Sequence, residues 1–107
     1  MTQRFGLKES VVESICHVLA RHPEVEKAII YGSRAKGTHK YNSDIDLTLI
    51  GDDRLTFLAL TKIMDDLDDL LLPYMIDLSV LSHISDPDVI EHIRRVGAVF
   101  YERKKSE

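Results

Sequence analysis

The chain has 107 residues, of which 44% are hydrophobic, and a net charge of −4. This length and composition predict a single small domain, residues 1–107, with one modest core. The negative charge disfavours direct binding to nucleic acid, because neutralising phosphates requires clustered basic residues. Cys16 is the single cysteine, which excludes an intramolecular disulfide and a cysteine zinc cluster. Without a signal peptide or an apolar run of membrane-spanning length, a cytoplasmic protein without membrane partners is expected.

The first half of the chain predicts alternating helices and strands. Apolar residues at helical spacing predict a helix over residues 8–21, which Pro23 prevents from continuing. The apolar, β-branched run 25–31 predicts a strand. Ser33 then begins a short helix, and residues 44–50 predict a second strand.

The same alternation continues in the second half. Asp52 or Asp53 is expected to cap a helix that runs to about Leu72, and residues 75–81 predict a strand. The next elements are a helix starting at Ser85-Asp86-Pro87, its end at Gly97, and a short strand over residues 98–101. This order predicts an α/β (α+β) fold built around one mixed sheet.

Asp44 and Asp46 are the first candidate catalytic residues. Side chains two apart on a strand share a face, so the two carboxylates are expected to lie side by side. Neighbouring carboxylates raise one another's pKa unless a cation lies between them, and their hard oxygens favour Mg²⁺, with Mn²⁺ as the substitute. A bound nucleoside triphosphate would supply further oxygen ligands. The alternative is a surface turn with two solvated aspartates.

The segment just before them has the features of a phosphate site. The strand 25–31 stops at Gly32, where a glycine allows close approach of a ligand or a positive φ angle. Ser33 begins the next helix and can donate its hydroxyl to phosphate. Arg34 and Lys36 add positive charge, and the fixed fork of Arg34 favours it for bidentate phosphate contact. The alternative is an ordinary turn followed by solvated basic side chains.

Asp77 is the third candidate carboxylate. It interrupts the apolar strand 75–81, and burying an unpaired carboxylate in a sheet is costly. If this strand lies beside the Asp44 strand, Asp77 completes a three-carboxylate cluster that can hold metal and accept a proton from an attacking hydroxyl. The alternative is an edge-strand aspartate facing solvent.

Together these motifs resemble a known family. Gly32-Ser33, then Asp44-x-Asp46, and a later strand aspartate at Asp77 are similar to the signature of the DNA polymerase β-like nucleotidyltransferase superfamily. The run Gly-Ser-Arg-Ala-Lys-Gly followed by Ser-Asp-Ile-Asp-Leu resembles its minimal branch, the MNT type. The resemblance covers essentially the whole chain. It implies the nucleotidyltransferase fold, a small mixed sheet with helices packed on one side.

The resemblance also implies a role for each motif residue. Gly32 and Ser33 would hold the triphosphate, and Asp44 and Asp46 would bind two Mg²⁺ ions. Asp77 would bind the catalytic metal and help activate the acceptor hydroxyl. The basic positions Arg34 and Lys36 would lie near the nucleotide. Because larger relatives carry added domains for the base or the acceptor, a partner subunit and a hetero-oligomer are expected here.

Three functions fit this resemblance. The favoured one is a Mg²⁺-dependent protein adenylyltransferase that transfers AMP from ATP to a hydroxyl. Its acceptor would be a tyrosine of a HEPN-type ribonuclease toxin, so that the chain acts as the antitoxin of a type VII-like toxin–antitoxin pair. The second is a non-catalytic binding module that neutralises such a partner by forming a complex. The third is a small-molecule nucleotidyltransferase that modifies drugs.

Other polar groups are expected to face solvent. The aspartates of the predicted third helix form an acidic face whose alternative use is docking a basic partner; they are Asp65, Asp66, Asp68 and Asp69. His39, in the loop between the motifs, is expected to be solvent-facing rather than to touch phosphate. The run Arg103-Lys104-Lys105 is expected to be a solubilising tail, with RNA contact as the alternative.

Overall fold

The computed structural model describes residues 3–104, so Lys105 and the outermost ends of the predicted domain lie outside the described residues. Within that part, helices and strands alternate as predicted. In chain order the elements are β1 Gln3–Arg4, β2 Leu7–Lys8, α1 Glu9–Ala20, β3 Val25–Tyr31, α2 Gly32–Lys36, β4 Ile45–Gly51, α3 Phe57–Asp68, β5 Ile76–Val80, a 3-10 turn Leu81–His83, α4 Pro87–Val96 and β6 Ala98–Glu102.

The main sheet is mixed, as the sequence predicts. Its four strands lie in the order β5-β4-β3-β6. Strands β4 and β5 run parallel and are joined by α3, whereas β3 pairs antiparallel with both β4 and β6. Because β4 and β5 are parallel, both strands start at the same end of the sheet, which is also where the antiparallel strand β3 ends.

The hydrophobic core lies between one face of this sheet and the helices α1 and α3. Ile30 of β3 pairs with Leu47 of β4, and both are fully buried in the core cluster with residues of these two helices. Helix α4 instead contacts the opposite face, where the ring of its His92 meets Tyr31 edge-on at 6.2 Å. The expected packing on one side therefore holds for the two long helices but not for α4.

Helix α3 is shorter than the sequence predicts. It begins at Phe57, where the Thr56 side chain caps it by accepting a hydrogen bond from the Ala59 amide at 3.2 Å. The expected cap, Asp52, accepts instead from the amide and guanidinium of Arg54. Since Asp and Thr both cap helices, composition alone did not fix the start.

An N-terminal hairpin, β1–β2, was not predicted. Its two turn residues, Phe5 and Gly6, both have positive φ angles, 57° and 74°. This is the pattern of the tight hairpin turns that match strand twist. The Phe5 ring stacks on Phe100 of β6 at 6.1 Å, which attaches the hairpin to the core.

Among the described residues, no helix has both the length and the apolarity needed to cross a membrane.

Candidate active site

Gly32 lies directly against the carboxylate of Asp46. It follows the last residue of β3 and has a φ angle of +76°, in the left-handed region that favours glycine. A Cβ atom placed on Gly32 would lie 2.2 Å from Oδ2 of Asp46, which is far inside van der Waals contact. The glycine that ends the strand therefore supplies both the turn and the space that the carboxylate occupies.

Asp46 and Asp77 are brought together by the backbone register. They are direct partners in the parallel β4–β5 pair, so their side chains leave the sheet on the same face. Asp44 precedes the first residue of β4, and the next residue, Ile45, donates its amide to the Met75 carbonyl at 2.9 Å. Asp46 is half-buried, whereas Asp44 and Asp77 are exposed. Three carboxylates that solvent can reach therefore lie at the end of the sheet where β4 and β5 start.

The charges of this group act on one another. The pKa of Asp46 is raised, first by burial and then by the negative charges of Asp77 and Asp44, while His92 opposes the shift. The raised pKa means that the ionised form of Asp46 is held at a cost in the metal-free protein. A cation placed between these carboxylates would remove that cost.

The donor set fits a magnesium ion. Within residues 3–104, no group of three His, Cys, Asp or Glu side chains is arranged to hold a metal ion, so the predicted three-carboxylate ligand set is not preformed in the structure. Mg²⁺ can bind with fewer protein ligands, because it typically takes one or two carboxylates and completes its shell with water and substrate phosphate. Asp44 and Asp77 are exposed and Asp46 is half-buried, so these carboxylate oxygens are accessible for such partly open coordination.

Ser33 and Lys36 lie near the two ends of the short helix α2. Both belong to α2, the five-residue helix that begins at Gly32. Ser33 is half-buried and its carbonyl accepts the Thr38 amide at 3.0 Å, while Lys36 is exposed at the other end of the helix. Their contact with a nucleotide stays a prediction.

Arg34 does not have the role that the sequence suggested. Its side chain is buried, with 2% of its surface exposed. The guanidinium donates to three backbone carbonyls, those of Phe5, Tyr41 and Ser43, at 2.8–3.2 Å. A fork whose nitrogens are already bonded inside the protein is not available for bidentate phosphate contact, so that expectation is corrected.

Four residues beside the carboxylates were missed from the sequence. Tyr31 is half-buried, and its pKa is raised by burial, with the Ser79 hydroxyl opposing as a hydrogen-bond partner and Asp77 and Asp46 adding to the rise. On the same face of the sheet, the Ser79 hydroxyl donates to the Thr48 hydroxyl at 2.9 Å. The alternation that places Thr48 with Asp46 and Ser79 with Asp77 was a usable signal, but nothing local marked His92.

A large surface groove lies elsewhere on the molecule. It is lined by Glu26, Lys27, Ile50, Asp52, Glu102, Arg103 and Lys104. These residues lie where β3 begins and β4 ends, at the opposite end of the sheet from Gly32 and Asp46. This groove is therefore separate from the candidate site.

The glycine turn, the paired strand carboxylates and the mixed sheet together define a nucleotidyltransferase domain. A family model described as polymerase beta, nucleotidyltransferase, matches residues 13–106. The chain belongs to this family.

Individual relatives agree with this assignment. A probable protein adenylyltransferase MntA from Haemophilus influenzae is 37% identical over 76 residues, which cover 71% of this chain and 66% of that protein. The chain therefore spans slightly less than two thirds of this curated relative.

Two solved structures share the fold. One chain, from a toxin–antitoxin complex with AMP-PNP, superposes with a TM-score of 0.70 at 23% identity, covering 87% of this chain and 74% of its own length. Another comes from a complex of a tri-AMPylated Shewanella oneidensis HEPN toxin with an MNT antitoxin. Its TM-score is 0.66 at 19% identity, with 89% and 72% of the two chains covered.

Proposed function

We propose that this chain is a Mg²⁺-dependent nucleotidyltransferase that transfers AMP from ATP to a hydroxyl group of a protein. The contact of Gly32 with the Asp46 carboxylate is the observation that carries the proposal. At this contact a sharp turn, whose glycine is half-buried, lies directly beside a carboxylate that is paired with Asp77 on the next strand. A phosphate chain held at that turn would lie next to the carboxylates that its metal ions need.

Each residue has a distinct task in this reaction. Gly32 and Ser33 would hold the triphosphate, and Asp44, Asp46 and Asp77 would hold the metal ions. Bound Mg²⁺ would supply positive charge to the phosphate oxygens of the reacting and leaving groups. The acceptor oxygen attacks the α-phosphorus, the bond to the β-phosphate bridging oxygen breaks, and pyrophosphate leaves. Asp77, which is exposed, would accept the acceptor's proton.

The proposed acceptor is a tyrosine of a HEPN-type ribonuclease, which the modification would silence, so that the chain acts as an antitoxin of the type VII kind. The support comes from the relatives, since one is described as a probable protein adenylyltransferase and another belongs to a complex with an AMPylated HEPN toxin. The exposure of Asp44 and Asp77 also supports a protein acceptor, because a side chain on another protein's surface can reach them.

The test is transfer of label from ATP to protein. The purified chain is incubated with Mg²⁺, α-labelled ATP and lysate of its host, and the labelled protein is identified by mass spectrometry. The Asp44→Ala/Asp46→Ala variant should transfer no label. Asp53→Ala removes an exposed carboxylate outside the site and should transfer label as the wild type does. A modified tyrosine on a HEPN-domain protein would confirm both the reaction and the acceptor.

Other results would point to the alternatives. If no protein is labelled while the chain still neutralises a co-expressed HEPN-domain protein, inhibition by complex formation replaces the catalytic proposal. If only small molecules of the lysate acquire label, the chain modifies a small acceptor, and the protein substrate is wrong.

A further inference from the structure

Arg34 is a buried cation with an unusual set of partners. Its charge is almost fully removed from water, yet among residues 3–104 no carboxylate lies within ion-pair distance of it. Backbone carbonyls and an aromatic ring compensate instead, since the guanidinium lies 5.0 Å from the centre of the Tyr74 ring. Moving a charge from water into the protein interior is costly unless hydrogen bonds replace the lost hydration. Such an arrangement needs a structural reason at this place in the fold.

The carbonyls that Arg34 binds belong to the loop before Asp44. Both Nε and Nη2 donate to the Ser43 carbonyl, at 3.1 and 2.8 Å, and Nη2 also donates to the Tyr41 carbonyl at 3.2 Å. The Ser43 carbonyl and the Asp44 nitrogen belong to one planar peptide unit. Two hydrogen bonds to that oxygen therefore fix the orientation of the chain as it enters Asp44.

The other side of Asp44 is fixed independently. The Ile45 amide donates to the Met75 carbonyl at 2.9 Å, which extends the β4–β5 ladder. Asp44 is thus a single residue between two anchored peptide groups. The anchor on the ladder side depends on the sheet. On the loop side, Arg34 binds the Ser43 carbonyl, while the amide and hydroxyl of Ser43 bond to the backbone of Lys40.

The same side chain connects the loop to two other parts of the site. Arg34 lies in α2, two residues after Gly32, so it joins the proposed phosphate turn to the loop that carries Asp44. Its Nη1 donates to the Phe5 carbonyl in the turn of the N-terminal hairpin at 2.9 Å. The ring of His39, from the same loop, packs on Gly6 of that turn so closely that a Cβ on Gly6 would lie 2.1 Å from Nε2.

We infer that Arg34 is a positioning residue that holds Asp44 at a fixed distance from the Gly32-Ser33 turn, with the N-terminal hairpin as its support. Four of the five N–H donors of the guanidinium are engaged by carbonyls. The inference rests on the proposed nucleotidyl transfer, because it assigns Arg34 to the geometry of that same site. Arg34 acts through Asp44 and does not touch the nucleotide.

The chain offers a matched control in Arg103, which corrects the expectation of a simple solubilising tail. Its guanidinium donates to four backbone carbonyls, those of Leu19, Ala20, His22 and Val25, and lies 6.0 Å from the Tyr101 ring. These contacts are at the start of β3, whereas Arg34 follows its end, about 20 Å away along a seven-residue strand. Arg34→Ala and Arg103→Ala thus remove the same chemistry near to and far from the carboxylates.

The test compares Arg34→Ala, Arg34→Lys and Arg103→Ala by thermal melting, label transfer and Mn²⁺ binding in the presence of AMP-PNP. Both alanine variants should melt at lower temperature. Only Arg34→Ala should lose kcat, by roughly 100-fold, as expected for a misplacement of about 1 Å at a reacting centre. The KM for ATP should change little, and weaker Mn²⁺ binding should accompany the loss. Arg34→Lys keeps the charge but loses the forked guanidinium, so its kcat and its Mn²⁺ affinity should lie between those of Arg34→Ala and Arg103→Ala.

Chemical rescue separates a positioning role from a general loss of stability. Millimolar guanidinium should restore part of the transfer rate and of the Mn²⁺ affinity to Arg34→Ala, because it can occupy the vacated space. It should restore neither in Asp44→Ala. A raised KM for ATP with unchanged kcat would show phosphate contact and overturn the inference, as would equal losses in Arg34→Ala and Arg103→Ala.

The metal readout keeps this test independent of the proposed reaction. If the wild type transfers no label but binds Mn²⁺ with AMP-PNP, the proposed function fails while the effect of Arg34 on metal affinity is still measured. If Arg34→Ala does not fold, Arg34→Lys is compared with Arg103→Lys in the same assays. Equal Mn²⁺ affinity and equal activity in those two lysine variants would refute the positioning role.

Discussion

The contact between Gly32 and Asp46 yields the sharpest prediction for the candidate site. Replacing Gly32 with alanine would put a methyl group 2.2 Å from Oδ2 of Asp46, and ordinary contact begins at 3.4 Å. The carboxylate or the turn must therefore move by about 1 Å, a displacement that can lower the rate of a catalysed reaction by about 100-fold. We expect Gly32→Ala to lose label transfer by roughly that factor.

Gly37→Ala provides the control for backbone strain. Gly37 has nearly the same φ angle, +80°, but a Cβ atom there would meet nothing within 4 Å. Forcing a non-glycine residue into this conformation costs about 1–2 kcal/mol, partly offset by the reduced freedom of the unfolded chain. A net loss of about 1 kcal/mol would lower the Tm by ~4–8 °C in a domain of this size. Gly37→Ala should show this loss and keep most of its activity.

Thermal melts and initial rates of label transfer, measured on both variants, decide the matter. If the space left for Asp46 matters for catalysis, Gly32→Ala must be far less active than Gly37→Ala after allowing for the fraction unfolded at the assay temperature. Equal activity of the two variants would refute it, because the room left for Asp46 would then have no catalytic consequence. A Gly32→Ala protein that melts like the wild type would contradict the contact itself.

Two further predictions concern stability. Because the folded-state pKa of Asp46 is raised, the folded protein binds more protons, and stability falls as pH rises from the ordinary Asp pKa through the raised value. Asp46→Asn should therefore melt at higher temperature than the wild type at neutral pH in EDTA, and Mg²⁺ with AMP-PNP should stabilise only the wild type; a less stable Asp46→Asn would count against the argument. Thr56→Ala removes the cap of α3 and should cost about 1 kcal/mol. Unchanged urea unfolding would show that the cap is not needed.

The parts of the fold that the sequence predicted well are those with strong signals at their ends. The strand Val25–Tyr31 was predicted with the correct bounds because an apolar run stops at a glycine. Helix α4 begins after the Asp86 cap with Pro87 in its first turn and ends before Gly97, as expected. The hairpin of β1 and β2 was missed because strands of two residues carry no periodicity.

The candidate site could be predicted only in part, for a physical reason. The apolar patterns predicted that Asp46 and Asp77 each lie on a strand. The parallel register of β4 and β5 then makes the two residues direct partners on one face of the sheet. The neighbours contributed by packing could not be read in this way. His92 reaches Tyr31 because α4 packs on the sheet face opposite α1 and α3, which local sequence does not specify. Arg34 was predicted to be a phosphate ligand from its residue type. That prediction was wrong because the side chain is buried, and burial decides which groups a guanidinium can bind.

The three carboxylates are held by two different kinds of structure, and this difference has a functional consequence. Asp46 and Asp77 are fixed by the parallel ladder of the central sheet, whose strands lie in the core. Asp44 lies just outside the ladder, and its loop is fixed through the carbonyls that Arg34 binds. Loops open locally at lower free energy than core strands. One half of the proposed metal site is therefore preformed, while the other depends on contacts with α2 and the N-terminal hairpin, so substitutions that remove those contacts should weaken metal binding before they unfold the protein.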